Sequence, residues 1–347
     1  MIDRVSRAIA LGSVSLTPDG VQGEARRLLE AESPWRVEDN LAGVLGHIVG
    51  LGPAQRLIDE PDVTDVLVNG PDQVWVDRGA GLERVDVRFG SDEELVAAVE
   101  RVIAPLGLRI DRSSPMVEAR LPDGSRLHAV LPPAAVDHPL VAVRRFTQAV
   151  GSLEDLAGSG WADPVHIERL RRAVKDRETI VISGGTGSGK TTLLNLLGGL
   201  IPPGERVVTI EDAAELALPG HVVRLEARPP NAEGAGEITM RSLLRSALRL
   251  RPDRIILGEV RGPEALDLIS AMNTGHRGSM TTVHANSPRE AMWRLETLAL
   301  SAGDTSELTV RRQLWEAVDL VVQVERHGRR RRLVSLEEAG EIAEELR

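Results

Sequence analysis

Residues 179–197 read Thr179–Ile180–Val181–Ile182–Ser183–Gly184–Gly185–Thr186–Gly187–Ser188–Gly189–Lys190–Thr191–Thr192–Leu193–Leu194–Asn195–Leu196–Leu197. The opening run, Thr179–Ser183, is β-branched and apolar, the pattern of a parallel strand buried on both faces. The closing run, from Thr192, suits a helix. Between them lies G-x-x-x-x-G-K-[ST], the spacing of a phosphate-binding loop. Glycines let backbone N–H groups turn inward around an anion, and the helix start adds partial positive charge. Gly184, Gly185, Thr186, Gly187, Ser188, Gly189, Lys190, Thr191 and Thr192 are the expected cradle. Within it Lys190 is placed to reach the β- and γ-phosphates, and the Thr191 hydroxyl to bind Mg²⁺.

The choice of cation supports this reading. The chain carries 42 Lys and Arg together, yet only Lys175 and Lys190 are lysines. A slim ammonium sits between phosphates where a planar guanidinium would not fit the loop.

From Pro164 onward, strand and helix patterns alternate, which argues a mostly parallel sheet with helices on both faces. Strands are expected at Val207–Ile210, Val222–Leu225, Ile255–Leu257 and Met280–Val283. Helices are expected near Val165–Asp176, Thr239–Leu250, Pro263–Asn273 and Pro288–Leu300. Ligands of such sheets bind at the carboxyl ends of the strands. Two strands end there in acids: Val207–Ile210 runs into Glu211–Asp212, and Ile255–Leu257 into Gly258–Glu259. Acids at such ends hold Mg²⁺ and an attacking water. An apolar strand ending in Asp is the usual pattern. Here Gly258 takes that place, so Glu259 is expected to act on Mg²⁺ through water. The duller alternative is that both acids cap helices. Thr274–Asn286 adds His276 and His284 around one short strand, with no Cys or nearby acid to complete a metal set.

The first half reads differently. Residues 1–57 look helical, with Leu41, Val44, Leu45, Ile48 and Val49 as a stripe. Residues 58–146 look like a small α/β domain. Val63–Gly70 is a strand closing in an Asn-Gly turn, Val74–Val76 its partner, and Ser91 with Glu94 forms a capping box. Short strands follow at Val117–Leu121, Arg126–Val130 and Val141–Arg145. Gly151, Gly158, Gly160 and Pro164 suggest a linker and hinge at 147–163. A tail hairpin, Leu320–Val324 with Arg331–Leu336, and an acidic helix complete the domain at 164–347.

The chain has 347 residues, 42% hydrophobic and 27% charged, with ample length for two cores. It has no Cys, which excludes disulfides and thiolate metal sites and fits the cytosol. No apolar run is long enough to span a membrane, and the N-terminus is too weakly marked for a signal peptide. The net charge is −10, a poor default for nucleic acid or anionic lipid. Arg329–Arg332 is accordingly read as a solvated hairpin tip, and no direct nucleic-acid binding is expected.

In order, GGTGSGKTT, TIEDAAEL, LRPDRIILGEVRGPEA and TGHRGSMTTVHANS resemble the Walker A, aspartate-box, atypical Walker B and histidine-box blocks of the type II/type IV secretion ATPase superfamily. The Gly258–Glu259 departure is normal there. Upstream, DVTDVLVNG at 62–70, and ARLPDGSRLHAVLPP with VAVRRF at 119–146, resemble that family's N-terminal domain. Residues 221–255 and AMNTGH resemble the CpaF/TadA-like motors of tight-adherence (Tad, Flp) pili, related to conjugal-transfer ATPases.

The resemblance implies a RecA-like P-loop ATPase domain after a smaller PAS-like α/β domain and a helical segment. It implies ATP and Mg²⁺ as ligands. Glu211 would activate or place the attacking water, and Glu259 would polarise water or hold Mg²⁺ indirectly. His284, with His276 as a further candidate, would contact the γ-phosphate region. Arg126 and Arg144 would reach the γ-phosphate on domain closure, with Arg145 as an alternative to Arg144. It further implies a homo-hexameric ring on the inner face of the cytoplasmic membrane, driving pilin assembly or export through a membrane platform protein. A conjugation or type IV secretion motor moving DNA or protein is the alternative within the enzymes, and a nucleotide-binding scaffold without turnover the alternative outside them. The lack of an LSGGQ-like signature disfavours an ABC-type subunit.

Overall fold

Hairpins before the linker and strand–helix alternation after it call for two unlike sheets, and the computed structural model has both. It describes residues 1–11, 18–79, 81–145, 151–230, 234–303, 305–328 and 330–344. The chain divides into two units, Met1–Thr147 and Gln148–Arg347.

The first unit opens with α1 (Ile2–Leu11), α2 (Pro18–Glu32), α3 (Val37–Ile48) and the short α4 (Gln55–Asp59). Val5, Ile9, Val21, Ala25, Leu29, Leu41 and Val44 form the core of α1 to α3, with Leu45, Ile48 and Val49 packed against it, while Leu57 and Ile58 of α4 join the core of the sheet that follows. A sheet follows: β1 (Asp65–Asn69), β2 (Val74–Asp77), β3 (Leu82–Val85), then α5 (Asp92–Ile103), β4 (Met116–Arg120), β5 (Arg126–Val130) and β6 (Leu140–Arg144). The order is β3-β2-β1-β6-β5-β4 with every neighbour antiparallel. Strand β3 went unread because Leu82, Glu83 and Arg84 are exposed and carry no burial alternation. Ser91 caps α5 by accepting from Glu94 N, and Leu95, Ala98, Val99 and Ile103 bury one helix face against the sheet.

The second unit contains α6 (Leu153–Gly158), α7 (Pro164–Lys175), β7 (Ile180–Gly184), α8 (Lys190–Gly198), β8 (Val207–Glu211), β9 (Val222–Glu226) and α9 (Met240–Ala247). It continues with β10 (Arg254–Leu257), α10 (Glu264–Asn273), β11 (Met280–Val283), α11 (Pro288–Leu300) and α12 (Glu307–Ala317). The end is β12 (Leu320–His327), β13 (Arg330–Glu338) and α13 (Ala339–Glu344). The sheet order is β13-β12-β7-β11-β10-β8-β9. All pairs are parallel except the final hairpin. Side chains alternate between two cores, which is why the strands are apolar throughout. Val181, Val208, Ile210, Ile255, Leu257 and Val321 face α9 to α12. Ile180, Ile182, Val207, Ile256, Leu320 and Val322 face α7 and α8.

The expected linker is ordered where it is described. Ser152 and Asp155 form a capping box at the start of α6. Leu153 and Trp161 are buried in the α7–α8 core, so from residue 151 the chain is part of the second unit; residues 146–150 lie outside the described residues. Two apolar anchors hold a stretch whose glycines suggested a linker and hinge.

Candidate active site

Strand β7 stops at Gly184 and α8 starts at Lys190, so the loop between them is held at both ends. Glycine is required at three of its positions, Gly187 among them with φ +68°. A Cβ at Gly184 would stand 2.2 Å from the Val324 carbonyl oxygen. Gly189 precedes α8 with φ 100°, in the left-handed region. The Ser188 hydroxyl donates to the Gly185 carbonyl at 2.9 Å, tying the loop to itself. The first N–H groups of α8 have no intrahelical acceptor by geometry and face outward at the strand end. Lys190 is buried; its Nζ donates to the carbonyls of Gly184 at 3.0 Å and Gly185 at 2.9 Å. Burial holds its pKa below the ordinary lysine value, with Glu259 opposing and Arg261 adding to the shift. A cation whose hydrogen-bond partners among the described residues are backbone carbonyls gains most from an anion.

The parallel register brings the acids alongside. Leu257 pairs with Ile210, so Gly258 stands beside Glu211. A Cβ on Gly258 would lie 3.0 Å from Glu211 Cγ. This explains the missing Asp: the Glu211 stem occupies the space its side chain would need. Glu211 is buried, and its Oε1 accepts N–H bonds from Glu215 at 2.8 Å and Leu216 at 2.9 Å. Its Oε2 is buried and has no partner among the described residues. Burial raises this carboxyl to about 7, against the two backbone donors that lower it. An orphaned oxygen on a near-neutral carboxyl suits a bound water or hydrated cation.

Glu259 differs. Burial pushes its carboxyl up, but the hydrogen bond and charge of Arg261, with His284 and Lys190, outweigh it and leave the pKa below the ordinary value. Arg261 Nη2 donates to Glu259 at 2.9 Å, and Nη1 lies 3.5 Å from Asp212. Thr282 on β11 donates to the Gly258 carbonyl at 2.7 Å, fixing the turn that carries Glu259. His284 follows β11 directly; burial first, then the charge of Lys190, lower its pKa, so the ring is neutral near pH 7. Lys190, Glu259, Arg261 and His284 thus form one electrostatic group at the carboxyl ends of β7, β10 and β11.

Not every candidate joins this group. His276 lies before β11, at the amino end of the sheet, with Nδ1 3.2 Å from the Pro252 carbonyl. One strand separates the two histidines, so they share neither a metal nor a phosphate. Arg126 and Arg144 belong to the first unit. They pair across β5 and β6 and therefore project from one face. Arg126 bonds Glu118 at 2.7 Å, and Arg144 stands 3.9 Å from Asp65. Arg145 is turned inward: it donates to the Val63 carbonyl at 3.0 Å and to the Glu60 carbonyl. Arg261 was missed; its signal was an arginine two residues beyond Glu259 in the same turn.

A family model described as type II/IV secretion system protein matches residues 48–334. A putative conjugal transfer protein of Mycobacterium tuberculosis is 42% identical over 301 residues, covering 84% of this chain and 85% of that one. The type IV secretion system protein PtlH of Bordetella pertussis is 34% identical over 328 residues, 86% of this chain and 96% of the relative. The crystal structure of the ATPase DotB of Legionella pneumophila superposes with a TM-score of 0.58. It is 22% identical and the match covers 84% of this chain and 81% of DotB, a likeness of fold.

Proposed function

The chain belongs to the type II/IV secretion system protein family, and from that membership we propose that it is a Mg²⁺-dependent ATPase motor driving export across a cell envelope. One observation carries the proposal: four neighbouring strands deliver the glycine loop, Glu211, Glu259 and His284 to the same carboxyl edge.

The residues fit a nucleoside triphosphate. Lys190 moves from the loop carbonyls to the β- and γ-phosphates. The Thr191 hydroxyl would hold Mg²⁺, with Glu259 acting on it through water, and the ion would neutralise phosphate charge. Glu259, ionised at neutral pH, orients the attacking water, and the Glu211 carboxyl, poised near neutrality, places that water or takes up its proton. Neutral His284 offers a hydrogen bond to the γ-phosphate region. Arg126 and Arg144 stabilise transition-state charge when delivered by domain closure, so that hydrolysis depends on movement. Arg145, spent on backbone carbonyls, is not the second arginine.

The export class we favour is type IV secretion or conjugal transfer, from the names borne by the relatives. The motor of a tight-adherence pilus is the second reading, carried by the blocks at 221–255 and 271–276. Either fits a homo-hexamer that is peripheral to the membrane and works through a platform protein. Among the described residues no helix is long and apolar enough to cross a membrane. The test is phosphate release from Mg-ATP. Lys190→Ala should abolish it; a variant that keeps most of its turnover would remove the loop from the reaction.

A further inference from the structure

The final hairpin touches the phosphate loop. Arg326 on β12 and Arg331 on β13 are directly opposite each other across the antiparallel pair. They share the hairpin face that carries Val324 and Leu333 into the α7–α8 core. That face ends at the loop. A Cβ at Gly187 would lie 3.1 Å from Arg326 Nη1, and one at Gly189 would lie 3.5 Å from Arg331 Cδ. Trp161 closes the same corner: its indole Cζ2 is 3.6 Å from that Gly189 position, and its carbonyl accepts Leu333 N–H at 2.8 Å. Arg326 Nε donates to the Gly328 carbonyl at 2.9 Å, which steadies the side chain over the turn. Both guanidinium groups are exposed, and neither has a carboxylate partner among the described residues. In a chain of net charge −10, two unpaired arginines against a glycine loop are out of keeping with a solvated tip.

The sheet order says which end of a ligand they meet. Strand β7 has β11, β10 and β8 on one side and β12 on the other. Glu259, His284 and Glu211 all lie on the β11 side. A polyphosphate whose terminal phosphate faces those groups directs its other end toward β12. We propose that Arg326 and Arg331 form the nucleoside side of the site, their planar guanidinium groups lying against the base. Guanidinium stacks on an aromatic face while remaining hydrated at its edges, which suits an exposed position. This rests on the nucleotide reading of the loop.

Calorimetric binding of ADP and of inorganic pyrophosphate to the full chain separates the possibilities, because the two share their phosphates and differ by the nucleoside. Arg331→Ala and Arg326→Ala should each weaken ADP by about tenfold and leave pyrophosphate within about twofold. Arg331→Lys should not restore ADP affinity, since lysine keeps the charge and loses the plane. Equal weakening of both ligands would assign the arginines to phosphate charge and overturn the proposal, as would unchanged ADP affinity. The underlying reading has its own control. A wild-type chain that binds neither ligand, or Lys190→Ala binding both as well as wild type, would count against the loop rather than the hairpin.

Discussion

At the scale of single residues, the two acids of the site have the same chemistry and opposite settings. Glu259 has Arg261, Lys190 and His284 around it and is held ionised. Among the described residues Glu211 has two backbone donors on one oxygen, none on the other, and no arginine in hydrogen-bond contact. Its carboxyl rises from 4.5 to about 7. The sign of the consequence is fixed. Between those values the folded protein binds a proton that the unfolded chain has released. Stability from this group is therefore full below about pH 4.5 and falls as pH rises toward 7. Glu211→Gln should flatten that fall, by at most about 3 kcal/mol. Thermal unfolding of both proteins across that range measures it; parallel slopes would show that the buried carboxyl ionises normally. Both glutamates were legible in the sequence as strand-end acids. Their difference was not, because it depends on neighbours from four strands.

At the scale of elements, strand ends are pinned by polar groups that no periodicity marks. Arg254 opens β10 and is fully buried. Its Nε and Nη2 bond Glu205 at 2.8 and 3.0 Å, and Nη1 donates to the Val174 carbonyl at 2.8 Å. One side chain thus joins β10, the turn before β8 and the end of α7. Gly278 makes room for it: a Cβ there would stand 2.8 Å from Arg254 Nη1, and its φ is +81°. Arg254→Met should destabilise the second unit by about 3 kcal/mol, because Glu205 loses its two-pronged partner and keeps only the longer contact of Arg177 at 3.4 Å. Adding Glu205→Gln should recover part of the loss. Denaturant midpoints of the single and double variants check this, and a single variant as stable as wild type would remove the pair from the framework. The hairpin carries a similar lesson. Arg329–Arg332 looks like one basic run, but a strand sends alternate residues to opposite faces. Arg331 meets the loop while Arg332 pairs across to Glu325 on the other face; Arg329 lies outside the described residues.

At the scale of the whole molecule, the chain joins an antiparallel unit carrying Arg126 and Arg144 to a parallel unit carrying the loop and acids. Arg126 and Arg144 project from one face of the first sheet, each beside a carboxylate, Glu118 and Asp65. The proposal that they complete the site on closure, from the same chain or a neighbour, predicts a separation of effects. Arg144→Ala should leave ADP affinity within about twofold and slow turnover by about 10³-fold. If a neighbour supplies the group, turnover per protomer should also rise steeply with protein concentration. Turnover that is unchanged in the variant would leave Arg144 in an ordinary surface pair.

The sequence by itself determined the loop, the parallel sheet that bears it, the acids at its edge and the family. Each of these is written in local pattern: glycine spacing, uninterrupted β-branched runs, and carboxylates immediately after them. Only the tertiary structure decided that Gly258 yields its space to Glu211, that His276 stands at the far end of β11 from His284, and that Arg145 is spent on backbone carbonyls. It alone brought the last hairpin onto the loop. Those outcomes depend on strand order and register, which set neighbours across 47 to 140 residues of chain and leave no mark on adjacent positions in the sequence.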